Sequence, residues 1–407
     1  MAYAAFLLIA IGRIQELVPG LGSLPLGKVA MAIALPLLII KWKRLPRLSQ
    51  SVAPFFRAAR ALVILAVVLA PFSIWPGETL QFLTLQLPVL AAAVIICCKI
   101  SYQWNVLRRI IRILVVAGVA LAVTALVSFH GGRATNSSSY DANDLAYVLV
   151  STVPLALAFA LTAKTKLSRL FNAGACLVLV IVTLLTSSRG GLFGLVAILA
   201  VLALIPLRRP QDGKSRNRIV LPVLGLVCAF MLVWSYLPSE TRDRLSTVLN
   251  LGSDYNLDTS DRTGRSAIWQ RSFAAVLERP IGYGADVFPM VDLRAGGTFK
   301  AAHNSYLQVL VELGFLGLLF FVRMYVLCWR ELQKVRKRLL AAASSEEHDQ
   351  LLVFARMLQV ALVGNAVSGF FLSMAYTALL WVLFAVVIAC VSIVVPSSGP
   401  IKPGLPR

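Results

Sequence analysis

Five polar segments carry the side chains that could take part in binding or catalysis in an otherwise apolar chain. Each places an arginine, a histidine or a carboxylate beside glycine, serine or asparagine. They read HGGRATNSSSYDAND (130–144), TSSRGG (186–191), DRTGRSAIW (261–269), ERPIGYG (278–284) and AAHNSY (301–306). Arginine binds phosphate oxygens through paired hydrogen bonds and stays charged, and helix N-termini add free N–H groups. The segments together predict an anion-binding site, with helices that begin near Asn143, Gly190 and Ser305.

The arginines of these segments differ in how well a structural role explains them. Arg189 can snorkel to lipid headgroups, but two glycines follow it and allow close backbone approach, so we favour a functional role. Arg265 follows Thr-Gly near a helix start, where the helix dipole disfavours a cation and an anionic ligand would offset that cost. Arg262 is a weaker case, because a nearby aspartate can pair with it. For Arg279 both roles stay open, because a cation at a helix C-terminus is stabilising by itself.

His303 is the sharpest candidate for acid–base chemistry, because it precedes Asn304 and Ser305 where an apolar run begins. A neutral imidazole near pH 7 can accept a proton from a hydroxyl group. Glu312 lies further along the same run, where a carboxylate is expensive, and we expect it to hold one of the arginines as a buried ion-pair partner. Asp141 and Asn143 also have a purely structural interpretation, since both residue types cap helices.

The polar segments are separated by apolar runs of about 20 residues, each long enough to span a bilayer. Of the 407 residues, 58% are hydrophobic and 14% are charged, against about a quarter charged in soluble domains. The sequence therefore predicts an all-α, polytopic membrane bundle with about twelve transmembrane helices. We place them at 2–18, 22–40, 58–75, 79–98, 110–129, 143–162, 169–186, 190–207, 219–237, 305–329, 352–372 and 375–394.

Basic residues follow a pattern that predicts the topology. Alternate connections hold 23 of the lysines and arginines, while the intervening connections up to residue 191 hold only Arg133 and Arg189. The positive-inside rule therefore puts both termini in the cytoplasm. The same pattern accounts for most of the formal net charge of +21, because basic loops contact anionic lipid headgroups. We therefore expect no nucleic-acid partner.

The predicted organisation has three parts. Residues 1–237 form helices one to nine, residues 238–304 form a large periplasmic loop, and residues 305–407 form helices ten to twelve with a short cytoplasmic tail. The loop has eight basic and eight acidic residues, so any role in binding must come from particular positions. Within it, Trp269, Phe273, Val276 and Leu277 share one face of a predicted amphipathic helix, which we expect to pack against the mouth of the bundle.

Neither a metal nor a cofactor is expected. The six cysteines lie in or beside apolar segments without ligand spacing, as small core residues do. The segment Gly22–Val29 nearly matches a phosphate loop but lacks the Ser or Thr that would hold magnesium.

The segments TGRSAIW, ERPIGYG and AHNSYLQVLVELGFLG, in this order, resemble the signature region of the O-antigen ligase and polymerase superfamily. The upstream YDANDLA and TSSRGG resemble companion motifs, so the resemblance covers about residues 130–320. It implies a multi-pass glycosyltransferase of the bacterial inner membrane with its active site on the periplasmic face. The donor would be a glycan on undecaprenyl diphosphate, transferred to a hydroxyl acceptor with inversion and without ATP or metal.

By motif position, the resemblance gives roles to the candidate residues. Arg189 and Arg265 would hold the donor diphosphate, and His303 would activate the acceptor hydroxyl or contact the diphosphate. Supporting roles would fall to Arg262, Asn304 and Glu312, and we add Arg279 and Asn143 as candidate substrate contacts.

Members of the superfamily differ mainly in the acceptor. It is lipid A–core in the ligases, a growing glycan on its carrier in the polymerases, or a protein hydroxyl, which the short tail disfavours. The ligase and polymerase alternatives stay open. A flippase for lipid-linked glycans is the rival from another class, but such a transporter is expected to show inverted repeats or broken spans at the midplane.

Overall fold

The computed structural model describes residues 26–41, 47–135, 140–204, 234–246 and 262–395, with a few single positions besides. The regular elements within these ranges are helices. They are α1 (Leu26–Lys41), α2 (Gln50–Phe72), α3 (Pro76–Ile100), α4 (Trp104–Val127), α5 (Ala142–Leu161), α6 (Lys166–Leu185), α7 (Arg189–Leu204), α8 (Ser239–Ser246), α9 (Arg265–Glu278), α10 (Phe288–Arg294), α11 (Ser305–Ala341), α12 (Glu346–Gly369) and α13 (Ala378–Val394).

Seven of these helices are long and apolar enough to cross a membrane: α2 to α6, α11 and α12. Shorter apolar helices occur within α1, α7 and α13. The prediction of a multi-pass, all-helical membrane protein is therefore confirmed. Ten predicted spans coincide with helices, whereas those at 2–18 and 219–237 lie wholly or largely outside the described residues, so the total of twelve stays a prediction.

Helices α5 and α12 form the centre of the bundle. Helix α5 packs against α4, α6, α7 and α12, and α12 also packs against α7, α11 and α13. Both central helices are buried on nearly all sides, which explains why their apolar residues are not confined to one stripe. Small residues allow the close crossing of α7 and α12, since a Cβ on Gly364 would lie 2.8 Å from the side chain of Ile198.

The described part of the loop, 262–304, has a small core of its own, to which the first turns of α11 contribute. The predicted helix is present as α9, but its predicted packing face is only partly right. Trp269 and Val276 pack on this core as expected. Ile268, Ala275 and Val276 are buried, whereas Phe273 is 55% exposed and Leu277 is 79% exposed. Helix α9 is apolar on two faces, and amphipathic periodicity alone does not tell which of them meets protein.

Helix α11 is broken at Gly314, where φ is 65° and ψ is −169°. The segment Pro280–Gly284 docks at this break: Tyr283 N–H donates to the Val311 carbonyl (3.1 Å) and Gly284 N–H donates to the Glu312 carbonyl (2.9 Å). The helix gives up its own hydrogen bonds here because the loop supplies replacements. The predicted span at 305–329 was continuous, so the break was not predicted.

Candidate active site

The end of α12 and the turn that follows it hold two helix N-termini together at one end of the bundle. Ser368 Oγ donates to the Gly190 carbonyl (3.1 Å) at the start of α7. Ser305 Oγ, at the start of α11, donates to the Leu372 carbonyl (2.6 Å) and accepts from Met374 N–H (2.8 Å). The segments containing Arg189 and His303 are therefore anchored to one short stretch, 368–374, although they are more than 100 residues apart in sequence.

Aromatic contacts bring α9 to the same place. Phe371 stacks on Phe193 of α7, with ring centroids 4.7 Å apart. Phe370 makes an edge contact with Trp269 of α9 at 5.6 Å, and Trp269 Nε1 donates to the Ala302 carbonyl (3.0 Å), next to His303. Three of the predicted polar segments thus converge through one cluster of rings and one turn.

His303 is held in a conformation that non-glycine residues rarely adopt, with a φ of 48°. Asn304 fixes the helix that follows, since its side-chain oxygen accepts from Tyr306 N–H (2.9 Å) and Leu307 N–H (3.0 Å). This capping accounts for the amide oxygen of Asn304. The predicted contact between Asn304 and substrate stays a prediction, and it would be made by the amide nitrogen.

The surroundings of His303 lower its pKa from 6.5 to about 4. Burial contributes most, because it penalises the charged imidazolium, and the Arg265 guanidinium contributes next, followed by Lys300. Asp141 acts in the opposite direction and raises the pKa. His303 is therefore neutral at pH 7. Asp141 and Arg265, from two of the other polar segments, and Lys300 lie within electrostatic range of its ring.

Arg265 is the first residue of α9 and is partly buried. The N-cap residue is Gly264, which has no side chain to cap the helix. A cation at this position opposes the positive end of the helix dipole, as the sequence predicted. Arg189 likewise begins α7 and is partly buried. Both arginines therefore stand at helix starts at the end of the bundle that carries His303.

Arg133 was not predicted as a site residue, yet it ties two polar segments together. Its Nε donates to the Thr186 carbonyl (3.0 Å) and its Nη2 donates to Asn143 Oδ1 (2.9 Å). Asp141 caps α5 through hydrogen bonds from Asn143 N–H (2.7 Å) and Asp144 N–H (2.8 Å). The capping interpretation is confirmed for Asp141, and the side-chain oxygen of Asn143 is taken up by Arg133.

Arg271 and Asp292 form a buried ion pair in the described part of the loop, and neither was predicted from the sequence as a site residue. Arg271 Nη2 lies 2.6 Å from Asp292 Oδ1, and Asp292 is buried. The second oxygen, Asp292 Oδ2, accepts from Thr298 N–H (3.1 Å) and Lys300 N–H (3.2 Å), which shapes the chain leading to His303. A loop with equal numbers of basic and acidic residues is expected to contain ion pairs, but the sequence does not show which residues pair.

Arg262 takes part in this arrangement through its backbone only. Its carbonyl accepts from Arg271 Nη2 (2.9 Å), and its side chain is exposed. The aspartates expected as its partners lie outside the described residues. Its predicted contact with substrate stays a prediction.

Glu312 is fully buried, and no arginine of the described residues pairs with it, so the expected arginine partner is wrong. Its Oε1 accepts from Phe288 N–H (3.0 Å) and its Oε2 accepts from Tyr376 O–H (2.6 Å). The carboxylate instead joins α10 and the α12–α13 turn to α11. The sequence identified a buried carboxylate here, but it could not identify a backbone N–H and a phenol as the partners.

Arg279 has a structural role. Its Nη2 donates to the Phe72 carbonyl at the end of α2 (2.7 Å), and its guanidinium lies 5.4 Å from the centre of the Tyr283 ring. These contacts tie the end of α9 to the end of a membrane span. Of the two roles left open by the sequence, the contacts favour the structural one.

A protein-family model matches part of the chain. Residues 174–322 match the family model described as O-antigen ligase. The matched region belongs to the O-antigen ligase and polymerase superfamily. A search of curated proteins found no match.

The O-antigen ligase region extends from within α6 to within α11, so it contains every predicted site residue except Asn143. It also includes the missed pair Arg271 and Asp292. Arg133 lies before it, in the segment that docks on the end of α6. Within the described residues, no group of three or more His, Cys, Asp or Glu side chains is placed to hold a metal ion.

Proposed function

We propose that the protein is a membrane glycosyltransferase that moves a glycan from undecaprenyl diphosphate to a hydroxyl acceptor on the periplasmic face of a bacterial inner membrane. The observation that carries the proposal is the setting of His303. A neutral imidazole, constrained at the mouth of α11, lies within electrostatic range of a helix-start arginine. The O-antigen ligase match gives the chemistry to which such a site is suited.

The reaction proposed for this site is a single displacement. The acceptor oxygen attacks the anomeric carbon while the bond from that carbon to the diphosphate oxygen breaks, which inverts the configuration. The diphosphate leaves with the electron pair, and His303 takes the proton of the acceptor hydroxyl. A positioned base of this kind contributes about 10²–10⁴-fold to the rate.

Arg265 and Arg189 would stabilise the charge that develops on the leaving diphosphate. Fixed cations in a site with little water do so strongly, and losing one donor of this kind costs about 10²–10³-fold in rate. Binding of the diphosphate would also offset the repulsion between Arg265 and a protonated His303, so donor binding favours proton transfer to the imidazole. Arg262, Asn304, Glu312, Asn143 and Arg279 would support the site, the last three mainly by positioning.

The test is transfer by the full-length protein in liposomes that contain a glycan on undecaprenyl diphosphate and a lipid A–core acceptor. We expect transfer without ATP, and a loss of about 10²-fold or more for His303→Ala and Arg265→Ala. His348→Ala is the matched control, because His348 lies at the other end of the bundle, where its ring contacts the Ala343 carbonyl, and it should keep full activity. Full activity of both site variants would refute the assignment.

The same assay separates the two activities of the superfamily. A ligase joins the glycan to the lipid A–core acceptor, whereas a polymerase produces a ladder of longer glycans on the carrier when no other acceptor is supplied. Movement of the intact lipid-linked glycan across the bilayer without bond cleavage would instead indicate a flippase.

A further inference from the structure

The end of the bundle opposite His303 contains two neighbouring cationic side chains, Arg356, which is buried, and Arg336, which is partly buried. Arg336 lies near the end of α11, and Arg356 lies in the first half of the antiparallel helix α12. Arg356 is only 1% exposed and Gln359, one turn later, is fully buried. A buried ionisable residue within a membrane span is expensive and commonly marks a function.

These three side chains form one cluster. Arg336 Nη1 donates to Gln359 Oε1 (2.9 Å), which joins α11 to α12. Residues three apart on a helix share a face, so Arg356 faces the same partner as Gln359. Arg336 also lies close enough to Arg356 for the two charges to repel each other.

The unused hydrogen-bonding atoms of this cluster are all donors. Arg356 Nε, Arg356 Nη1, Arg336 Nε and Gln359 Nε2 are buried and make no hydrogen bond. Guanidinium nitrogens and an amide NH₂ group can donate only. A ligand that satisfies them must therefore offer several acceptor oxygens, and two neighbouring positive charges favour an anion.

No acidic side chain neutralises the two arginines within the described part of the chain. The nearest acidic residue along α11, Glu331, is engaged elsewhere, with Lys334 (2.5 Å) and Ser51. Leaving a buried charge without its partner is strongly destabilising. A bound anion would remove that cost.

We propose that Arg336, Arg356 and Gln359 form a second anion site, which binds the oxygens of a phosphate group. The site stands on residues separate from the glycosyl-transfer site and does not depend on the proposed function. Its position, near the ends of two membrane spans, is suited to the phosphate of a lipid headgroup. Free inorganic phosphate has the same recognition chemistry.

The test measures thermal unfolding of the full-length protein in a maltoside detergent that carries no phosphate. Phosphatidylglycerol, phosphatidylcholine and inorganic phosphate are added separately to wild type, to Arg356→Gln and to Arg336→Gln. We expect at least one of them to raise the unfolding midpoint of wild type, with the rise lost or clearly reduced in both variants. Arg338→Gln, an exposed arginine on the same helix end, is the matched control and should respond as wild type does.

The pattern of responses identifies the source of the phosphate. A rise with lipid but not with inorganic phosphate indicates a headgroup site, and a rise with inorganic phosphate indicates a site for the free anion. The proposal is overturned if no phosphate compound stabilises wild type, or if both variants respond as wild type does. If Arg356→Gln does not fold, the single variants Gln359→Leu and Arg336→Gln provide the same comparison. Each of them removes donors from the site and keeps Arg356.

Discussion

The ionisation of His303 provides the most direct test of the site, because its physical causes can be changed one at a time. Burial and the nearby Arg265 lower its pKa from 6.5 to about 4. The difference, 6.5 minus about 4, is about 2.5 pH units, which corresponds to a penalty of about 3 kcal/mol on the charged ring at 1.36 kcal/mol per unit. At pH 5 about one-tenth of His303 would then be protonated, whereas about 97% of an ordinary histidine would be.

Replacing Arg265 with glutamine removes the second-largest cause but leaves the largest, burial. We therefore expect Arg265→Gln to raise the pKa of His303 above about 4 while keeping it below 6.5. Asp141→Asn should change it in the opposite direction, because Asp141 raises the pKa. The two variants thus predict shifts of opposite sign for the same ring.

The measurement is nuclear magnetic resonance of protein labelled with ¹⁵N in histidine only. The chain has three histidines, so single His→Gln replacements at 130 and 348 assign the signal of His303. A titration midpoint near 6.5 for wild type would refute the argument that burial and Arg265 disfavour the imidazolium. An unchanged midpoint in Arg265→Gln would show that the arginine does not act on this ring.

The same pKa fixes the sign of the stability change with pH. Between about pH 4 and 6.5 the unfolded chain binds a proton at this histidine and the folded chain does not. Stability therefore falls as the pH decreases through this window, by at most about 3 kcal/mol from this residue. His303→Gln should lose this part of the pH dependence, as measured by the unfolding midpoint at pH 7 and at pH 4.5.

Three further predictions concern the loop, the helix break and the metal. Asp292→Asn should destabilise the protein by about 3–5 kcal/mol, because it breaks a buried ion pair; the readouts are the unfolding midpoint and protease cleavage at 296–300, and Arg294→Gln should have a smaller effect. Gly314→Ala should reduce both the folded yield and the activity, because φ is positive there and a Cβ would meet the Pro280–Ile281 backbone. The control is Gly77→Ala, which should be tolerated because its Cβ would lie in open space. Excess chelator should leave glycosyl transfer unchanged; a loss of transfer that added magnesium restores would contradict the metal-free mechanism.

The sequence predicted those features that depend on composition and on local rules. Apolar runs gave the spans, because a bilayer demands about 20 apolar residues in every case. Asp141 was correctly considered as a helix cap, because capping needs only a short polar side chain at a helix start. The resemblance to the O-antigen ligase superfamily rested on ordered motifs, and the matched region confirms it.

The features that failed depend on contacts between distant residues. The partners of Glu312 come from residues 24 and 64 positions away, and no local pattern identifies them. The break at Gly314 exists because the loop at 280–284 supplies hydrogen bonds to α11. The packing face of α9 was only partly right, because Trp269 and Val276 meet protein whereas Phe273 and Leu277 are exposed.

Backbone strain links these long-range contacts to the site. Within the described residues, the non-glycine residues with positive φ are Ser187, Asp286, Phe299 and His303. Two of them lie inside the predicted polar segments and a third follows the segment ERPIGYG by two residues. Such conformations cost about 1–3 kcal/mol each and persist only where the surroundings over-determine them.

For His303 the surroundings that sustain this conformation can be named. On one side Trp269 holds the Ala302 carbonyl, and on the other Asn304 caps α11. Ser305 then fixes the start of α11 to the turn beside the central helix α12. The ring is thereby held between residues whose own positions are set by the packed bundle. A site that stabilises charge by pre-oriented groups needs this rigidity, since groups that must reorganise during the reaction lose much of their benefit.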